Sequence, residues 1–147
     1  MFETDMLIRE SQNAIREARK TMGEVSDLVR QRDRGRELVE GMSADTPEGR
    51  AEILRQARLE ISHFSDNDSF YKLIDRLGMS YDGFVEHELR HLDVGSKEGR
   101  HQMMNMACVE MRNCGDSSYF REMLDKAGAS YQEYEYFNRT GEMYQDR

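Results

Sequence analysis

The stretch from Glu48 to Tyr136 contains one segment twice, with an offset of 50 residues and no gap. Glu48-Gly49-Arg50 corresponds to Glu98-Gly99-Arg100, and many later positions are identical. The further identical pairs include Ala57/Ala107, Glu60/Glu110, Asp66/Asp116, Phe70/Phe120, Asp75/Asp125, Gly78/Gly128, Ser80/Ser130 and Tyr81/Tyr131. Self-similarity at a fixed period indicates supersecondary units that stack and bury a shared core.

The sequence pattern of each copy predicts three helices. A capping hydroxyl before an acidic first turn begins the first helix, as in Thr46-Pro47-Glu48 and Ser96-Lys97-Glu98. Aspartate-rich caps begin the second, which ends at Gly78 or Gly128, and serine caps the third. The predicted buried stripe of the first helix comprises Ile53, Leu54, Ala57, Ile61 and Phe64, matched by Met103, Met104, Ala107, Met111 and Cys114. We therefore predict repeat 1 at 46–95 and repeat 2 at 96–147.

The first 43 residues have a different pattern. Ile8, Ile15, Met22 and Val29 recur every seven residues, with Ser11, Ala18 and Val25 at the alternate positions. Seven-residue spacing predicts a long helix that pairs with another helix in a coiled coil. The partner helix is supplied either by the repeats or by another copy of the chain. We favour self-association through Ile8, Ile15, Met22 and Val29.

Composition agrees with an all-α protein: a long N-terminal helix followed by two tandem three-helix repeats packed as a helical bundle. The chain has one proline, no tryptophan and a formal charge of −8. That charge argues against direct nucleic-acid binding and against binding to anionic membranes, which both need positive surfaces.

Residues 1–8 do not resemble a secretory leader and no stretch is apolar enough to span a membrane, so we expect a cytoplasmic protein, or a protein of a particle assembled inside the cell. In that compartment Cys108 and Cys114 are expected to be reduced, Cys114 within the core.

The second repeat is rich in aromatic residues near its end. Tyr134, Tyr136 and Phe137 fall in its third predicted helix, and Tyr144 follows. One short helix cannot bury so many rings, and tyrosine is common in the energetically dominant parts of interfaces. We therefore predict that these four residues contribute to a surface that binds a protein partner.

One motif indicates a specific chemistry. His87-Glu88-Leu89-Arg90-His91 is an HExxH sequence on a predicted helix, and Glu110 follows 18 residues after the second histidine. This string resembles the active-site helix of zincin-type zinc peptidases. The resemblance implies zinc held by His87, His91 and Glu110, with Glu88 as the general base on a metal-bound water.

The context of the motif favours other interpretations. On a helix whose buried face is Tyr81, Val85, Leu89 and Leu92, the two histidines lie about 100–140° away, on the polar flank. The chain has no predicted strand to align a peptide substrate, and the motif occurs in only one of the two copies. The histidines are then either solvated or bind a structural or interfacial metal ion.

The sequence thus favours a non-enzymatic interaction or assembly protein with no required cofactor, for example a subunit of a larger particle such as a phage virion. Two alternatives stay open. One is a small zinc-dependent hydrolase built on residues 87–91. The other is an acidic inhibitor that mimics nucleic acid in the binding site of a basic partner.

Overall fold

The computed structural model describes the backbone of residues 2–143 and the side chains of residues 9–16 and 18–143. Within these ranges the protein is all-α and contains no strand, which confirms the predicted fold class. The helices are α1 (Phe2–Glu40), α2 (Pro47–His63), α3 (Asp68–Arg76), α4 (Tyr81–His91), α5 (Lys97–Cys114), α6 (Ser118–Ala127) and α7 (Tyr131–Thr140).

The chain divides into two compact units, Met1–Glu40 and Gly41–Arg147. The first unit is the single helix α1, whose 39 residues correspond to a length of about 58 Å. It ends at Glu40, three residues before the predicted boundary. No helix in the described part of the chain is long and apolar enough to cross a bilayer.

The six helices of the second unit begin at positions related by the 50-residue offset. Their N-caps are Thr46, Asn67 and Ser80 in the first half and Ser96, Ser117 and Ser130 in the second. Each cap side chain accepts a hydrogen bond from the backbone N–H three residues later, at 2.9–3.1 Å. Local capping chemistry therefore determines where every helix of this unit begins.

The packing of the second unit joins its two halves. Helix α2 contacts α3 and α5, α5 also contacts α6 and α7, and α4 contacts α3 and α6. Each half contains an edge-to-face aromatic pair: the ring centroids of Phe70 and Phe84 are 5.0 Å apart, and those of Phe120 and Tyr134 are 4.8 Å apart. The same pair of positions thus packs at the centre of each half, in the edge-to-face geometry that aromatic rings prefer.

Six of the ten predicted stripe positions of α2 and α5 are buried, whereas Leu54, Phe64 and Met111 are half-buried and Cys114 is exposed. Ile53, Ala57 and Ile61 are buried, as are Met103, Met104 and Ala107. Cys114 is exposed, because it is the last residue of α5 and the chain turns away at Gly115, whose φ is 73°. Cys108 is half-buried, and burial raises the pKa of its thiol to about 11.

Two glycines allow a close approach of backbone to backbone. A Cβ atom on Gly99 would lie 1.7 Å from the carbonyl oxygen of Asp93, and one on Gly49 would lie 1.8 Å from that of Ser43. Both glycines are buried at the third position of their helices, where they donate to the capping hydroxyl. The loops before α2 and α5 can fold tightly over these helices only because no side chain is present there.

We predict that Gly99→Ala lowers the free energy of unfolding by about 1–3 kcal/mol, because the new methyl group must displace a backbone carbonyl. Gly83 is the matched control. It occupies the same third position in α4, but its added Cβ would meet only side-chain atoms, the Ser80 hydroxyl at 3.3 Å and Cβ of Met79 at 3.9 Å. Gly83→Ala should change the stability by less than about 1 kcal/mol. Urea unfolding followed by circular dichroism measures both, and equal losses would contradict the assignment.

Candidate functional site

The HExxH segment lies in α4, with its glutamate in the core and its histidines outside. Glu88 has no exposed surface and is buried beside Phe84 and Val85. His87 is half-buried and His91 is exposed. The buried face therefore centres on Phe84, Val85 and Glu88, whereas three residues predicted for it are half-buried, namely Tyr81, Leu89 and Leu92.

Glu88 forms a two-point ion pair with Arg58 of α2. The guanidinium Nε lies 2.7 Å from Oε2, and Nη2 lies 2.9 Å from Oε1. Charge-assisted pairs of this bidentate form are among the strongest hydrogen bonds in proteins. Nδ1 of His87 lies 3.1 Å from Oε1 as well. Both oxygens of Glu88 therefore contact protein groups. The carboxylate predicted as a general base thus has its oxygens engaged and turned away from solvent.

The two histidines lie side by side on the outer surface of α4. Their ring centroids are 4.6 Å apart and the ring planes are inclined by 44°. His91 also lines an open cleft of about 410 Å³, together with Asp93, Glu98 and Gln102. Arg58 and Leu92 line the same cleft, so its wall is partly charged and partly apolar.

Glu110, the predicted third metal ligand, has a different role. It is only 2% exposed, and it accepts hydrogen bonds from the hydroxyl of Tyr81 at 2.7 Å and of Ser117 at 2.8 Å. Burial and the Glu110 contact raise the pKa of Tyr81 well above its usual range. Within the described residues, no three His, Cys, Asp or Glu side chains converge as a metal-binding group. The structure does not bring Glu110 to the histidine pair.

The counterpart of Glu110 in the first half explains why this residue recurs. Glu60 is also buried, and it accepts from Nδ2 of Asn67, the N-cap of α3, at 3.1 Å. Ser117, which contacts Glu110, is the N-cap of α6. Each glutamate thus joins the first helix of its half to the beginning of the second.

The predicted aromatic surface requires a correction. Tyr134 and Phe137 are each 4% exposed and belong to the core: Tyr134 packs on Phe120, and Phe137 packs edge-to-face on His101 at 5.7 Å. They do so because they lie on the inner face of α7. Tyr136 is half-buried, with the Arg139 guanidinium 5.7 Å from its ring centre, and Tyr144 lies outside the described residues. The tyrosine that α7 presents to solvent is Tyr131, at 54% exposure.

The apolar stripe of α1 is exposed. Ile15, Met22 and Val25 have relative exposures of 52%, 69% and 54%, whereas Val29 is half-buried. The side chain of Ile8 lies outside the described residues. Large apolar side chains with this exposure are concentrated on one helix, and contiguous exposed apolar surface of this kind is typical of interaction sites.

Sequence reasoning missed Arg58, although the repeat contains a signal for it. The residues aligned with Arg58 and Glu88 in the second copy are Cys108 and Asn138, so both charged partners are absent together.

Comparisons of the chain with protein-family models, with curated proteins and with solved structures found no significant match. The site must therefore be interpreted from its own geometry.

We predict that Tyr81→Phe lowers the free energy of unfolding by about 1–3 kcal/mol, because buried Glu110 loses a donor. Tyr131→Phe, the equivalent change at the exposed counterpart, should change the free energy of unfolding by less than about 0.5 kcal/mol.

The raised pKa of Tyr81 gives a further test. Its contribution is complete below pH 10, the pKa in the unfolded chain, and is lost as pH rises above it. The advantage of the wild type over Tyr81→Phe should then shrink by about 1.4 kcal/mol per pH unit in alkaline unfolding experiments.

We predict that Arg58→Met lowers the free energy of unfolding by about 3–5 kcal/mol, since Glu88 is left as an unpaired buried charge. Arg55→Met removes a comparable pair on the same helix, that of Arg55 with Glu52, but at an exposed position. It should cost less than about 1 kcal/mol. Denaturant midpoints measure both variants, and a small effect of Arg58→Met would show that the pair contributes little.

Proposed function

We propose that this chain is a non-enzymatic assembly protein whose copies associate through the α1 stripe, defined as Ile15, Met22, Val25 and Val29. The observation that carries the proposal is the exposure of Ile15, Met22 and Val25 of this stripe, along a helix about 58 Å long. A solvated helix gains most of its stability in proteins by burying such a face against a partner.

The spacing of the stripe favours another helix as the partner. Its residues follow a seven-residue repeat, with the small residues Ser11 and Ala18 in the alternate positions. Such a repeat keeps one seam facing a partner helix only when the helices supercoil around each other. The opposite face carries polar residues that suit solvent, namely Asn13, Lys20, Asp27 and Arg34.

The distribution of charge favours α1 of a second copy as that helix. Residues 1–40 carry eight Lys or Arg and nine Asp or Glu, whereas residues 41–147 carry 13 and 20. Two α1 helices can therefore approach each other with little net repulsion, while two acidic second units repel each other. A pairing through α1 also uses one self-complementary surface, as symmetric homo-oligomers do.

The environment of Glu88 supports a non-enzymatic function over the hydrolase alternative. A zinc hydrolase needs this carboxylate beside a metal-bound water. Here the carboxylate of Glu88 is fully buried and bonded to Arg58. Because solvent does not contact its oxygens, a metal-bound water cannot be activated there. We therefore favour assembly, with a subunit of a larger particle as its concrete form.

Sedimentation velocity over a concentration series tests the proposal. The wild type should sediment as a species larger than the 17.3 kDa single chain. Met22→Asp/Val25→Asp places two charges in the stripe and should shift the protein to the single-chain mass, because charged groups are costly to bury without partners. Asn13→Asp/Gln31→Asp adds the same two charges outside the stripe and should leave the larger species unchanged.

Two results would contradict the proposal. One is a wild type of 17.3 kDa at every concentration up to about 100 μM, a range in which a specific interface is populated. The other is an equal shift in both double variants, which would indicate a general effect of charge.

A further inference from the structure

We infer that His87 and His91 form a binding site for a divalent transition-metal ion such as Zn²⁺, in which Glu88 orients His87 and does not act as a base. This inference concerns a surface of α4 and is independent of association through α1. It rests on three observations: the contact of His87 with Glu88, the fixation of Glu88 by Arg58, and the spacing of the two imidazole rings.

The first step is the orientation of His87. Its Nδ1 lies 3.1 Å from Oε1 of Glu88, and a carboxylate bound to a guanidinium can only accept hydrogen bonds. Nδ1 therefore carries the hydrogen, and Nε2 keeps its lone pair for a ligand. A carboxylate behind the ring in this way fixes the tautomer and raises the basicity of a metal-binding histidine.

The second step is the rigidity of Glu88. Its two bonds to Arg58, at 2.7 and 2.9 Å, join α4 to α2 and hold the carboxylate in one position. Glu88 also neutralises the charge of Arg58, which would otherwise repel a cation. The glutamate of the motif is thus a positioning residue on the buried side of the histidine pair.

The third step is the approach of the second ring. His91 follows His87 by one helical turn, so both rings lie on the same face. With 4.6 Å between ring centroids, one ion can contact both imidazoles. Asp93, Glu98 and Arg58 line the cleft beside His91, and since Glu88 balances the charge of Arg58, the two further carboxylates leave a negative potential that favours a cation.

The chemistry of the donors defines the class of ion. Imidazole nitrogen prefers zinc, copper and nickel, whereas magnesium and calcium prefer oxygen ligands. With two protein ligands and no third His, Cys, Asp or Glu converging on them in the described residues, solvent completes the coordination. The site is thus an open two-histidine site on the protein surface.

Isothermal titration of chelator-treated protein with ZnCl₂ tests the inference. The wild type should bind about one Zn²⁺ per chain, and His87→Ala and His91→Ala should each abolish this binding, since each removes half of the donor set. His63→Ala and His101→Ala are matched controls on α2 and α5, and they should retain it. CaCl₂ should give no binding in any variant.

Glu88→Gln tests the positioning role. Removal of an orienting partner behind a metal-bound histidine lowers metal affinity by about 10–100-fold. Circular dichroism first establishes that the variant is folded, and the absorption spectrum of Co²⁺ bound to it then reports the coordination. The same titration on the Met22→Asp/Val25→Asp variant should give wild-type affinity, which separates this site from the association proposed above.

Three outcomes would overturn the inference: no binding of Zn²⁺ to the wild type at 1:1 stoichiometry, equal losses in all four histidine variants, or unchanged affinity in folded Glu88→Gln. The first two leave adventitious binding only, and the third removes the role given to Glu88. The four histidine variants decide the metal site even if Glu88→Gln does not fold.

Discussion

The buried carboxylate of Glu110 is the interaction that the second unit depends on. It lies in α5 and receives hydroxyl hydrogen bonds from Ser117 at the beginning of α6 and from Tyr81 at the beginning of α4. A carboxylate with 2% exposure costs a large desolvation free energy unless donors compensate for it, so the positions of three helices are coupled through one group. It also lies beside the N-terminus of α6, where the helix dipole favours negative charge. Glu60 repeats part of this arrangement with Asn67.

The fold was predictable where local chemistry decides the structure. Each helix of the second unit begins at a side chain that caps its own backbone, so Thr46 and Ser96 identify helix starts without tertiary information. Burial at the helix ends was less predictable. Cys114 aligns with half-buried Phe64 but is exposed, although the residues that follow them, Ser65 and Gly115, have similar positive φ angles of 79° and 73°. Tyr131 aligns with Tyr81 but is 54% exposed, whereas Tyr81 is half-buried and donates a hydrogen bond to Glu110.

The candidate site was predictable in its residues but not in their roles. Helical periodicity placed His87 and His91 on the polar flank of the helix, and the structure has the first half-buried and the second exposed. The partner of Glu88 lies 30 residues earlier in the chain, and no local pattern connects it to the motif. Without Arg58, a glutamate between two histidines has the appearance of a base. With it, the same glutamate is half of a buried ion pair, and both of its oxygens are engaged by the guanidinium.

The uneven charge of the chain has a consequence for the proposed association through α1. Residues 41–147 have seven more acids than bases, whereas α1 is close to neutral. Copies joined along α1 would therefore keep their second units apart in dilute buffer, where electrostatic repulsion extends over roughly 30 Å at 0.01 M salt. At physiological ionic strength this range falls to about 8 Å, and the acidic units can crowd together. Salt would then change the dimensions of such a particle while its seam of apolar contacts stays the same.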